Sequence, residues 1–320
     1  MEKKIKITIL DSATLGKDID LSPLYEAGEV SKFEMTSPEV VSARIAECDA
    51  VVLNKVKLDR TNLPYAKNLK VICVAATGYD NIDLEYCREN NIAVCNVAGY
   101  SSHSVAQLTS AMVLSLSVRL NEYTDYVNTG KYTAGGVQNR LEPTYYELCG
   151  KTWGIVGYGG IGKQVAKVAE AFGCRVIVNK RTPADDAECV SLEELCRSSD
   201  IITLHTPLND STRNLINADT LSMMKNNVIL VNVARGAIVD EQAVTEAVLN
   251  GKIGAFGCDV YSVEPFPENH PYNRLKGLPN VCLTPHMAWG AYEARNRCLN
   301  EVAENIKAFF AGEKRNRICI

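Results

Sequence analysis

Short β-branched and apolar runs alternate with helix-length segments along almost the whole chain, and few folds accommodate that rhythm. From residue 5 to about 96 the runs "IKITIL", "DAVVLN", "KVICVA" and "IAVCN" are separated by the helical stretches "PLYEAGE", "TNLPYAKN" and "LEYCREN". Strands separated by segments of this length need crossover connections, which predicts a parallel sheet. A second set begins at "KTWGIVG" and continues through "RVIVN", "DIITLH", "NVILVNVA", "GAFGCDVY" and "VCLTP". The pattern predicts two α/β units of unequal size.

Two amphipathic segments flank the second set. Val105, Leu108, Met112, Leu116 and Leu120 recur every three or four residues in 103–120, and Leu299, Val302, Ile306 and Phe309 do so in 291–311. Because the later segment follows the last strand of the second unit, the chain is expected to return to the first. The predicted domains are 1–98 plus 289–320 and 99–288, with "TAGGVQNR" at 133–140 as a surface loop. At 320 residues, 46% hydrophobic and 22% charged, the chain can fill two cores. A net charge of -4 argues against nucleic acid as a partner. The basic N-terminal run "MEKKIKITIL" is too short and alternating for a signal peptide, and no stretch approaches a membrane span. It is expected to form the first strand of a cytoplasmic protein. The 12 cysteines are scattered through apolar runs without a C-x-x-C pair, so buried reduced thiols are expected and no metal site.

Gly157, Gly159 and Gly162 form a G-x-G-x-x-G in "GIVGYGGIG", between the apolar strand "TWGIV" and the helical "KQVAKVAEAFG". In that context the pattern is a pyrophosphate site: glycines allow close backbone approach, and a helix N-terminus offers unpaired N–H groups. Arg235, Glu264 and His286 each follow a strand of the same unit. In a doubly wound sheet the carboxyl ends of the strands line the ligand crevice, so the three can converge there. Their chemistry is complementary: Arg clamps a carboxylate and polarises a carbonyl, His exchanges a proton, and a paired Glu orients the ring and raises its pKa. His103, His205 and His270 lack such company, although His205 in "LHTPL" can line the adenine side.

The stretches "GYGGIG", "VNVARGAIVDE", "CDVYSVEP" and "TPHMAW" resemble the motif set of the D-isomer-specific 2-hydroxyacid dehydrogenases. "AATGYDNIDL", "GYSSHSVAQ" and "HMAWGAYEAR" resemble the glyoxylate/hydroxypyruvate reductase and glycerate dehydrogenase branch. The resemblance runs through nearly the whole chain. It implies two doubly wound parallel-sheet domains, a flavodoxin-like substrate domain and a Rossmann coenzyme domain, with a cleft between them and usually a homodimer. It also implies Arg235 as the substrate-binding arginine, Glu264 as the carboxylate of the acid–base pair and His286 as the catalytic histidine. The amides of Ala76, Thr77 and Gly78 match the loop that holds the substrate carboxylate, with Lys55 and Trp289 expected around the side-chain end. Matching cofactor positions are Gly157, Gly159, Gly160, Ile161, Gly162, Lys180, Arg181, Thr182, His205, Thr206, Pro207, Thr212, Val233, Ala234 and Asp259, the last against the nicotinamide amide.

Two departures bear on specificity. "VQNRLEPTYY", before "ELCGKT", lacks a tryptophan that many relatives carry, and "VIVNKRT" lacks the ribose-binding acid. Lys180, Arg181 and Thr182 stand where that acid would repel a 2′-phosphate, so NADP(H) is the expected cofactor and NAD(H) the alternative. The expected reaction is reversible hydride transfer between a nicotinamide and a small 2-oxo or D-2-hydroxy acid, glyoxylate or hydroxypyruvate in the first place. A bulkier 2-oxo acid, or a regulatory protein that senses the dinucleotide, are the other readings. Formate oxidation is disfavoured because Pro285 precedes His286 where those enzymes carry glutamine.

Overall fold

The computed structural model describes residues 4–320; Met1–Lys3, the start of the basic run expected to lead into the first strand, lie outside the described residues. Among the described residues the strands are β1 (Lys6–Ile9), β2 (Glu29–Lys32), β3 (Ala50–Leu53), β4 (Val71–Val74), β5 (Ala93–Cys95), β6 (Thr152–Val156), β7 (Arg175–Asn179), β8 (Ile201–Leu204), β9 (Val228–Asn232), β10 (Ile253–Cys258), β11 (Val281–Leu283) and β12 (Arg317–Cys319). The helices used below are α1 (Ser102–Ser117), α2 (Gly160–Ala171), α3 (Glu241–Leu249) and α4 (Tyr292–Phe310). Contacts divide the chain into two compact units, one of residues through Ser101 with Trp289–Ile320, the other Ser102–Ala288.

The first unit's sheet runs β12-β5-β4-β3-β1-β2, parallel except where β12 meets β5. β3 and β4, "AVVL" and "VICV", are buried at every position, as a parallel sheet covered on both faces requires. α4 covers one face through Cys298, Leu299, Val302 and Ile306, which share one side of the helix. Ile45, Leu63 and Cys87 cover the other. Each such Leu or Ile contributes about 1.5–3 kcal/mol by leaving water. Two strands are absent from the apolar pattern, β2 and β12. Both are edges, and "EVSK" in β2 has no fully buried position. The stretch "TNLPYAKN", expected to be helical, forms only a 3₁₀ turn, Leu63–Tyr65, because Pro64 biases the residue before it away from the α-helical region.

The second unit's sheet runs β11-β10-β9-β8-β6-β7, parallel throughout. An isolated parallel bridge, Val178 to Cys189, extends it beyond β7. Strand order reverses between β6 and β8 here and between β1 and β3 in the first unit, and ligands of doubly wound sheets bind beyond the strand ends at such points. α1 buries Val105, Met112 and Leu116, but the expected stripe does not reach Leu120. Arg119 takes a left-handed backbone, φ 53°, which turns the chain so that Leu120 begins a second helix with its side chain exposed. Residues 133–140 are exposed, and a short helix, Lys131–Gly135, takes the first of them. No helix among the described residues is long and apolar enough to cross a membrane. Among the same residues no group of three His, Cys, Asp or Glu side chains is placed to hold a metal.

Candidate active site

β6 ends in a turn that only glycine can make. Gly157 has φ 94°, and a Cβ there would stand 2.6 Å from the His205 carbonyl carbon; a Cβ on Gly162 would stand 2.3 Å from the Gly157 carbonyl oxygen. Those two glycines serve the chain's own packing. Gly159 does not, since a Cβ there would meet nothing within 4 Å. Its bare backbone, together with Gly160 and Ile161 opening the 12-residue helix α2, leaves a cradle beside a helix N-terminus, where unpaired N–H groups favour an anion. His205 donates its amide to Val156 O, and both its ring nitrogens are buried without a hydrogen-bond partner. Burial pulls its pKa down to about 3, so the ring is neutral. An orphaned ring, a bare cradle and a helix terminus fit a dinucleotide.

At the end of β7, Asn179 turns its amide back to Val190 O. Lys180 is half-buried and Arg181 and Thr182 are exposed. Asp186, on the loop that follows, is held by Lys163 at 2.7 Å; that hydrogen bond lowers its pKa, and Lys180 adds to the effect. Beyond β8, Thr206 and Pro207 lead into a loop that Thr212 closes, its hydroxyl donating to Pro207 O and accepting from the Asn209 amide. The Thr212 hydroxyl is thus engaged inside the protein.

Arg235 sits beyond β9 on a turn clipped by Asn232, which is fully buried. The Asn232 side chain accepts from the Ala234 amide and donates to Arg235 O, fixing Val233 and Ala234 between them. The guanidinium donates to Ala234 O at 2.8 Å. Asn232 carries no catalytic chemistry of its own, and a single Asn at a strand end gives no signal in the sequence.

Glu264 and His286, separated by 22 residues, meet at 2.6 Å between Glu264 Oε2 and His286 Nδ1. Glu264 Oε1 accepts from the Tyr261 amide, so both oxygens are directed. His286 has φ 52°, a left-handed backbone that costs about 1–3 kcal/mol for a residue with a side chain. Asp259, fully buried at the end of β10, holds it there: Oδ1 accepts from the Thr284 hydroxyl and the Met287 amide, and Oδ2 from the Ala288 amide. The bonds seen at Asp259, expected at the nicotinamide amide, serve the His286 loop.

In the first unit, the loop after β4 is tied by Val97 N to Ala76 O and by Thr77 to Val97 O. Among the described residues the amides of Ala76, Thr77 and Gly78 donate to no protein group. Lys55 follows β3 with its amide on Asp11, and Trp289 packs edge-on to Tyr100 at 6.4 Å between ring centroids.

Known proteins resemble the chain over nearly its whole length. Residues 110–288 match the family model described as "D-isomer specific 2-hydroxyacid dehydrogenase, NAD binding domain". The chain is 34% identical to a glycerate dehydrogenase of Methylorubrum extorquens over 97% of its own length and 98% of the relative's. It superposes on a D-lactate dehydrogenase of Aquifex aeolicus complexed with NAD and lactic acid (TM-score 0.85, 29% identity, 96% of each chain). It also superposes on an acyclic imino acid reductase in complex with NADPH and D-Arg (TM-score 0.87, 29% identity, 98% of this chain and 100% of that one). The chain therefore belongs to the D-isomer-specific 2-hydroxyacid dehydrogenases, oxidoreductases that interconvert 2-hydroxy and 2-oxo acids with a nicotinamide dinucleotide.

Proposed function

We propose that this protein reduces a small 2-oxo acid, glyoxylate or hydroxypyruvate, and that it prefers NADPH. The observation that carries the reading is the 2.6 Å contact of Glu264 with His286 Nδ1. With Nδ1 given to the carboxylate, Nε2 is the nitrogen that exchanges a proton with the substrate oxygen. Arg235 clamps the substrate and stabilises charge on that oxygen, and its fork suits a 2-oxo acid, where carboxylate and carbonyl oxygens lie side by side. The Ala76–Gly78 amides hold the carboxylate, with Lys55 and Trp289 at the side-chain end. The residues through Ser101 with Trp289–Ile320 are thus a substrate domain, and Ser102–Ala288 a coenzyme domain. The bound dinucleotide supplies the hydride; Gly157–Gly162 and the α2 N-terminus hold its phosphates, and the loops of Thr206 and Val233 flank it. Glycerate is the reduced form of hydroxypyruvate, and a glycerate dehydrogenase is a full-length relative.

The cofactor reading rests on Lys180, Arg181 and Thr182 at the end of β7, where Lys163 pairs with Asp186 of the following loop. Exposed Leu120, Val127, Tyr132, Val137, Leu141 and Tyr146 suit a face covered by a second copy, and we read the enzyme as a homodimer. Its free cysteines suit the reducing cytoplasm. Turnover across a panel of 2-oxo acids with NADPH and NADH tests the reading. Highest kcat/KM for glyoxylate or hydroxypyruvate with NADPH supports it; a bulky 2-oxo acid, NADH, or no turnover at all overturns the corresponding part. Light scattering at the dimer mass tests the assembly.

A further inference from the structure

A second imidazole–carboxylate pair lies behind the first. His270, a histidine without company in the sequence, meets Glu241 at 2.9 Å with side chains only 4% and 10% exposed. The ring is boxed by Phe266 at 4.8 Å, Tyr272 at 5.0 Å and Tyr261 at 6.1 Å between centroids. Its tautomer is set locally. The Tyr272 amide donates to Nδ1, so Nδ1 is the acceptor and the proton sits on Nε2, aimed at Glu241 Oε2.

Glu241, at the first position of α3, uses both oxygens. Oε1 accepts from the Ser262 amide, and Oε2 accepts from the Ser262 hydroxyl as well as from His270. Ser262 belongs to an exposed turn in which the preceding amide, of Tyr261, donates to Glu264 Oε1. The linkage therefore runs from the His270 ring through Glu241 and the Ser262 backbone to Glu264, and from Glu264 Oε2 to His286 Nδ1. Ser262, Val263 and Glu264 are all exposed, so little packing fixes them. A carboxylate on such a turn keeps one orientation only if the turn is anchored, and the buried pair is an anchor on a rigid helix end.

We propose that Glu241 and His270 are positioning residues for the reaction, a buried clamp that holds Glu264 where it orients the His286 ring. The proposal rests on the reading of Glu264 and His286 as the acid–base pair, and the variants below separate the two. In the intact enzyme, His270→Phe keeps the ring box but removes the Nε2 proton. We expect it to lower kcat on the order of tenfold, the low end of what second-layer partners of working histidines supply. KM for the 2-oxo acid and the dissociation constant for cofactor should stay within about twofold, because neither ligand is touched. His270→Gln, whose amide N–H reaches the Nε2 position, should restore kcat to within about threefold of the parent. Glu241→Gln places a donor against a donor and should behave like His270→Phe.

The deciding measurement repeats His270→Phe in a Glu264→Ala background. If the clamp acts through Glu264, the second change alters kcat by less than about twofold there. An equal fall in both backgrounds, an unchanged kcat in His270→Phe and Glu241→Gln, or a Gln variant no better than Phe overturns the clamp. Near-normal turnover in His286→Ala overturns the underlying acid–base reading instead. Should His270→Phe be too unstable to purify, the same comparison with Glu241→Gln decides the question.

Discussion

Asp259→Asn removes one acceptor from the group that holds the His286 loop. Oδ1 takes the Thr284 hydroxyl at 2.6 Å and the Met287 amide at 2.9 Å, and Oδ2 takes the Ala288 amide at 2.8 Å. An asparagine with its oxygen at the Oδ1 position keeps two of these bonds but sets an N–H against the Ala288 N–H. Turned over, it keeps the Ala288 bond, can donate to the Thr284 hydroxyl, and sets an N–H against the Met287 N–H. Losing one bond to a charged acceptor costs about 1.5–3 kcal/mol, which is the size of the left-handed strain at His286 that the bonds offset. The loop then relaxes. At about 1.4 kcal/mol per tenfold, the population with His286 on Glu264 falls by roughly ten- to a hundredfold, and kcat with it. A domain of this size loses roughly 2–4 °C of Tm per kcal/mol, so Tm falls by about 3–12 °C. The assay is kcat and KM by steady-state reduction, cofactor affinity by fluorescence titration, and Tm. Cofactor affinity should change by less than about threefold, because the three bonds all lie within the protein. An affinity loss of about tenfold or more with kcat retained would refute the reasoning and make the nicotinamide amide the main partner of Asp259.

Gly236→Ala would put a Cβ 1.9 Å from the Tyr261 carbonyl carbon and 2.1 Å from Ser262 N, so the turn carrying Glu264 must move. Misplacement on the order of 1 Å costs about a hundredfold in kcat, and an unchanged kcat would show that the turn tolerates displacement. The double variant Lys180→Asp with Arg181→Ala should move the NADPH/NADH ratio of kcat/KM toward NADH by roughly a hundredfold, from two charged contacts at about 1.5–3 kcal/mol each; a ratio that stays put removes the 2′-phosphate assignment. His205 gives a pH test. Its folded pKa, about 3, lies below the unfolded 6.5 because its ring nitrogens are shielded, although other atoms of the residue reach solvent. Between those values the unfolded chain binds the extra proton, so this contribution is intact above 6.5 and lost as pH falls toward 3. Tm measured from pH 7 to 4 should therefore fall less in His205→Gln than in the parent, and parallel curves would contradict it.

What the sequence discloses about this site follows from what side chains can and cannot share. Glycines at a strand-to-helix turn and Arg235, Glu264 and His286 after successive strands stand out because few other residue types do their chemistry. The groups that hold them do not stand out. Asn232 and Glu241 act on backbone amides, which nearly every residue possesses, so no pattern of partners marks them, and the family motif marks Asp259 for the nicotinamide amide rather than for the loop amides it holds. His270 was visible only as a lone histidine, because its meaning depends on a fold that brings it beside Glu241, 29 residues away. The apolar rhythm discloses the buried strands for the same reason it hides β2 and β12, which are edges.

The two sheets solve one problem in the same way. A parallel strand ends with amides that its ladder no longer satisfies, and the loop beyond it must still be fixed if it is to carry chemistry. In the first unit Asp11, just past β1, is 3% exposed and gathers the amides of Asn54, Lys55 and Val56 beyond the neighbouring strand β3. In the second, Asp259, just past β10, gathers the Met287 and Ala288 amides and the Thr284 hydroxyl beyond its neighbour β11. Each carboxylate is acceptor-only and can take several donors at once, which a single backbone carbonyl between strands cannot do. One loop carries Lys55 and the other His286. A buried aspartate past one strand thus orders the loop of the next, and the two loops it orders in this chain are ones on which recognition and proton exchange are proposed to depend.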